Sequence, residues 1–95
     1  MPQPFYNSKA WQMVRKAVLL RDGLCQIRVK CQGAVATHVD HKIPAKLRPD
    51  LALNMENLQA ACPACNSWKA HEDKRRWAEL KKLAESIPRP GSITF

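Results

Sequence analysis

Asp40 and His41 stand side by side, and Asn57 follows sixteen residues after His41, with Asn66 nine residues further on. A carboxylate is a hard oxygen ligand for a divalent cation, and an imidazole can take up a proton near neutral pH. Asn66 directly follows Cys62-Pro63-Ala64-Cys65. Two residues between thiolates let both sulfurs face one tetrahedral ion. The other cysteines, Cys25 and Cys31, have five residues between them. That gap is wider than usual, but a loop of this length can still close on the same ion. Four thiolates leave no open coordination position, so Cys25, Cys31, Cys62 and Cys65 read as a structural Zn²⁺ clip rather than a catalytic centre. Free thiol pairs, or disulfides in a secreted domain, are the competing explanations. Together the residues suggest a hydrolytic metal site with a structural metal clip attached.

These side chains meet only if the right elements carry them. Residues 34–42 are β-branched and alternating, which predicts a strand that Pro44 terminates. Residues 56–61 read as a return strand, and a helix should begin near 62–65, with Pro63 in its first turn. That helix carries Asn66, Trp68 and Lys69; whether it breaks around 71–73 is left open by the residues. Upstream, Ser8 can cap a helix over 9–21 that Asp22-Gly23 ends. Trp11, Val14 and Val18 recur along it at helical spacing, which assigns Trp11 to the core. Trp77, Leu80, Ala84 and Ile87 predict a last helix over roughly 73–86, stopped by Pro88 and Pro90, with Trp77 and Trp68 in the core. Asn54 reads as a turn residue. The expected architecture is one α+β domain over 1–95, with 1–7 as an arm and 88–95 as a tail.

The chain of 95 residues carries a net charge of +8, which suits a polyanion such as DNA or RNA. Four thiolates on one Zn²⁺ would remove two of those charges and leave the balance strongly basic. Lys42, Lys46 and Arg48 lie close in sequence to the proposed site and are candidate nucleic-acid contacts. No apolar run approaches about 18 residues, so no membrane-spanning helix is expected. Residues 1–6 lack a basic and an apolar secretory segment, which favours the cytoplasm and metal-bound rather than disulfide-bonded cysteines.

Three stretches resemble the HNH endonuclease family, the ββα-metal or His-Me finger nucleases. They are Val39-Asp40-His41-Lys42-Ile43-Pro44, Glu56-Asn57-Leu58-Gln59-Ala60-Ala61-Cys62 and Pro63-Ala64-Cys65-Asn66-Ser67-Trp68-Lys69. The lead-in Leu19 to Cys25 also looks like that of bacterial and phage members. The resemblance implies a small ββα-metal core with flanking helices and a zinc clip, hydrolysing DNA phosphodiester bonds. It implies His41 as general base and Asn57 as the residue that orients the loop and the base. Asp40 and Asn66 would be the two protein ligands of one catalytic divalent ion, Mg²⁺, Mn²⁺ or Ni²⁺. Asn66 stands where histidine is common, which bears on metal preference because imidazole binds transition metals better than an amide oxygen. The implied setting is bacterial, phage or prophage, with a phage terminase or other packaging protein as a conceivable partner and no membrane.

Three further positions carry two readings each. Lys69, three residues after Asn66, shares its helical face and could reach a phosphate, or could be a solvated lysine. His38 shares a strand face with Asp40 and could support the metal ligands, or could be a half-exposed strand histidine. His71 competes with Asn66 as a ligand, but five positions turn a helix about 500°, leaving it roughly 140° off that face. His41 itself is expected half-exposed. A zinc-containing nucleic-acid-binding module without catalysis is the alternative function; it would not need Asp40, His41, Asn57 and Asn66 together.

Overall fold

The computed structural model describes residues 8–89. The expected arm at 1–7 and most of the expected tail lie outside the described residues. Helix α1, Lys9–Asp22, begins where expected: the Ser8 side chain accepts a hydrogen bond from the Trp11 amide at 3.0 Å. It ends at Gly23, whose φ of 69° suits a residue without Cβ and whose N–H closes onto Leu19 O. Strand β1, His38–His41, pairs antiparallel with β2, Leu58–Ala61, in the register His38 to Ala61 and His41 to Leu58.

Both strands are shorter than the alternation suggested, and for visible reasons. Val35 bridges back to Leu24, and the Ala36 amide donates to Gly23 O, so residues 34–36 serve the end of α1 instead of extending β1. At the other strand, Met55–Asn57 form a 3₁₀ turn capped by Asn54, whose side chain accepts from the Glu56 amide at 2.9 Å. Asn57 therefore leaves a turn, not a strand.

Helix α2 runs Pro63–Arg75 and α3 runs Trp77–Ser86, separated at Arg76. The break comes later than residues 71–73, so His71 stays on an uninterrupted helix. Leu80 and Ala84 of α3 are buried with Ile43, whereas Trp77 is 37 % exposed, so the core place expected for Trp77 is a correction. The helix begins at that residue and its inward face starts at Leu80. Trp68 is half-buried. The main core joins Trp11 and Val18 of α1 to Leu58 and Ala60 of β2. Helix α1 thus covers one side of the strand pair, and α2 leaves its end.

Candidate active site

The cysteine site assembles first. Pro63 opens α2, and Cys62 caps it, its sulfur accepting from the Cys65 amide at 3.4 Å. The wide Cys25–Cys31 loop closes because Arg28 takes a left-handed conformation at φ 57° and its Nε donates back to Cys25 O at 3.2 Å. All four sulfurs lie within 4.8 Å of one another. Zinc–sulfur bonds of about 2.3 Å put the corners of a tetrahedron about 3.8 Å apart, and Cys31 Sγ and Cys65 Sγ are separated by 3.8 Å. Burial raises the Cys25 thiol, but the backbone amides of Arg28, Cys62 and Ile27 outweigh it and bring the group down to about 6. The Cys65 amide lowers Cys62, yet burial and the three neighbouring thiols push it up to about 11. Four thiols this close cannot all ionise without a cation among them, which is what a metal supplies.

His41 closes β1 and is 7 % exposed, so the half-exposed position expected of it is corrected. Trp11 of α1 stacks on its ring, and its Nε2 lies 2.9 Å from Ala52 O. A carbonyl only accepts, so Nε2 carries the proton and the neutral ring has its lone pair on Nδ1. Burial pushes the imidazole below its ordinary pKa, with the Ala52 hydrogen bond opposing, which favours the neutral ring.

Asn57 holds the loop that holds His41. Its Oδ1 accepts from the Ile43 amide at 2.9 Å, and its Nδ2 donates to Ile43 O at 3.0 Å and Leu51 O at 3.4 Å. A buried amide satisfied at both ends is rigid, and removing it would leave loop backbone groups unpaired.

Asp40 lies next to His41 on β1 with its side chain 12 % exposed. Gln59 Nε2 donates to it at 2.9 Å, and Lys69 Nζ lies 3.1 Å from its Oδ2. Burial pushes the Asp40 carboxyl up, with Lys69 opposing. Lys69 also donates to His41 O at 3.0 Å and to Asp73 at 2.9 Å. Lys69 is thus turned inward onto two carboxylates rather than lying on the surface. Asn66, one turn earlier on α2, shares the face from which Lys69 reaches Asp40. Asp40, the His41 backbone and Lys69 therefore meet, with Asn57 bracing the adjoining loop and Asn66 one turn before Lys69 on α2.

The other expected residues fall elsewhere. His38 is exposed and pairs with Thr37 Oγ1 at 2.8 Å, and His71 is exposed. Lys42 and Lys46 are exposed. Arg48, expected on nucleic acid, is instead buried, with its guanidinium on Asp50 and the carbonyls of Ala84, Ile87 and Pro88.

Three supports were not read from the sequence. Gln59 steadies Asp40. Arg21 donates to Met55 O and Leu58 O at 2.9 and 2.8 Å, and Asp22 accepts from the Ala60 amide at 3.0 Å. The last two clamp the end of α1 to β2. Gln59 alone left a signal, since it stands opposite Asp40 once the strand register is set.

A strand pair and helix enclosing a buried imidazole beside a carboxylate, with four cysteines gathered where a metal could bind, fit a small metal-dependent hydrolase. The family model described as HNH endonuclease matches residues 24–72. A probable HNH endonuclease of Lactococcus phage SK1 is 36 % identical over 75 residues, spanning 75 % of this chain and 80 % of the phage protein. The crystal structure of the HNH endonuclease of deep-sea thermophilic bacteriophage GVE2 with manganese ion superposes with a TM-score of 0.70 at 42 % identity, covering 78 % of this chain and 83 % of that one. This chain belongs to the HNH endonuclease family. Among the described residues, no helix is long and apolar enough to cross a membrane.

Proposed function

We propose that this protein cleaves DNA by metal-dependent hydrolysis, with His41 as general base and Asp40 and Asn66 as the protein ligands of one divalent ion. The observation that carries the reading is the bond between His41 Nε2 and Ala52 O. It makes Nε2 the donor and Nδ1 the acceptor nitrogen of the neutral ring, the one that would take a proton from water. Burial favours the neutral ring, the form that can accept a proton, and Trp11 stacks on its plane.

The donors fit a hard cation. Asp40 is a poorly solvated carboxylate that already attracts an ammonium, and Asn66 offers a second oxygen donor from the adjoining helical face. When bound, the ion would neutralise charge on the scissile phosphate and aid the leaving oxygen. The manganese of the GVE2 enzyme makes Mn²⁺ the first ion to test, with Mg²⁺ and Ni²⁺ beside it. Asn57 keeps the His41 loop rigid, Lys69 steadies Asp40, and exposed Lys42 and Lys46 hold the DNA backbone. Cys25, Cys31, Cys62 and Cys65 would hold a structural Zn²⁺.

Cleavage of supercoiled plasmid by the purified full chain with each ion tests the activity. Relaxed or linear product is expected with at least one metal and none with chelator. Retarded but intact plasmid under every metal would favour the non-catalytic nucleic-acid-binding module instead.

A further inference from the structure

The loop between β1 and β2 positions the site, and its own anchor comes from beyond the family's matched segment. The carbonyls of Leu51 and Ala52, which hold Asn57 and His41, belong to one 3₁₀ turn, Pro49–Leu51, with Arg48 at its start and Ala52 at its end. The Leu51 amide closes onto Arg48 O at 3.0 Å. The Arg48 side chain is only 5 % exposed. Its Nη1 donates to Ala84 O at 2.6 Å and Ile87 O at 2.5 Å, and its Nη2 to Pro88 O at 3.1 Å. Nε and Nη2 fork onto Asp50 at 2.9 and 2.7 Å, which fixes the plane of the guanidinium.

Those carbonyls lie at the C-terminal end of α3, where a helix leaves acceptors without partners and favours a cation. Ile43 and Leu47 of the loop pack against Leu80, Ala84 and Ile87. Helix α3 lies outside residues 24–72, the part the family model matches. A continuous line of contacts therefore runs from the end of α3 through Arg48 and the turn to Ala52 O and the His41 ring.

We propose that Arg48 is a positioning residue: by fastening the turn 49–52 to the end of α3, it sets the aim of the His41 imidazole. This rests on His41 being the base. Five directed hydrogen bonds from one planar group hold the turn in one orientation. Lysine, a point charge on a flexible stem, cannot reproduce them.

The test uses the full metal-loaded chain with Arg48→Lys and, as the variant that leaves the buried arginine in place, Asp50→Ala. The readouts are kcat and KM for plasmid cleavage, Mn²⁺ affinity, and the ring-nitrogen resonances of His41 measured with Mg²⁺. Both variants should move the His41 resonances and lower kcat roughly 10- to 100-fold, since a small misplacement of a catalytic group costs that much. KM, salt dependence and Mn²⁺ affinity should stay as in the parent. Unchanged His41 resonances in folded Asp50→Ala would overturn the proposal, as would a loss confined to KM, the mark of a DNA contact. Should Arg48→Lys fail to fold, Asp50→Ala decides alone. Near-normal cleavage by His41→Ala would instead remove the base assignment, while the resonances would still decide whether Arg48 positions the ring.

Discussion

The Trp11 indole lies flat on the His41 imidazole, with ring centroids 5.4 Å apart and planes 14° from parallel. One residue belongs to the first helix and the other to the end of the first strand, so the core of the domain and the wall of the site are the same contact. Both side chains are almost fully buried. The His41 ring is held on its face by Trp11 and at its edge by Ala52 O. A ring held this way would need no reorganisation to take a proton, as the proposed base role requires.

Replacing His41 should therefore have two effects. His41→Ala is expected to lower cleavage about 10²–10⁴-fold, the usual loss on removing a general base. It should also lower the midpoint of thermal unfolding, because it empties a space beside Trp11. Wild-type cleavage rates from the folded variant at neutral pH would show that another group takes the proton.

Trp11 should matter to rate as well as to stability. Trp11→Ala is expected to destabilise the fold by about 3–5 kcal/mol, in the range for large aromatic truncations. Trp11→Phe keeps a ring against His41 and should retain most of kcat in its folded fraction, whereas Trp11→Leu should lose more kcat at similar stability. Equal kcat for the Phe and Leu variants, after correction for folded fraction, would reduce Trp11 to packing alone.

The order of elements and the residues of the candidate site were legible because each rests on local chemistry. Ser8 and Gly23 cap α1, Pro63 opens α2, and Asp40, His41, Asn57 and the cysteine pairs have functional residue types at telling separations. What was hidden depends on pairings distant in sequence. Arg48 looked like a phosphate ligand because it sits among lysines, and only the end of α3, 36 residues away, shows it to be buried. Trp77 fitted an apolar period, but that period continues through Leu80 and Ala84 without it. The strand limits were lost because the ends of α1 and the 3₁₀ turn took backbone groups that alternation alone assigned to β1 and β2.

The two proposed metal sites should separate chemically. A chelator at modest concentration should stop cleavage by removing the ion at Asp40, and added Mn²⁺ should restore it, while the metal held by four thiolates is retained. Cys65→Ser, by contrast, should destabilise the whole domain, since metal binding energy at a closed site is folding energy. Elemental analysis of the folded protein should find one zinc per chain. Folded protein without zinc would remove the clip.

Acid should loosen the clamp between α1 and β2. The side-chain hydrogen bond from Arg21 holds the Asp22 carboxyl below the usual carboxylate range, although burial opposes it, and the Ala60 amide adds to the effect. A folded pKa below the unfolded one contributes stability above the unfolded value, about pH 4, and loses it as pH falls through the folded value. Asp22→Asn should be less stable at pH 7 by about 1–2 kcal/mol, and the gap should narrow below pH 4. Denaturant titrations of the two proteins from pH 7 to pH 2 read this directly. A gap that stays constant throughout would show that the charge of Asp22 contributes nothing.

As second ligand of the proposed catalytic ion, Asn66 competes with His71. Imidazole is the stronger ligand for transition metals, which favours His71 on chemistry. Helix α2 runs unbroken through both residues to Arg75, so His71 keeps its phase of about 140° from Asn66. The face that meets Asp40 is marked by Lys69, one turn after Asn66, and His71 is exposed. Asn66→Ala should therefore lose metal-dependent cleavage and weaken Mn²⁺ binding, while His71→Ala should retain both or lose only some DNA affinity. Asn66→His should remain active and shift its preference towards transition metals. The decisive measurement is Mn²⁺ affinity in the two alanine variants. Loss of the ion in His71→Ala with its retention in Asn66→Ala would mean that α2 presents a different face to Asp40.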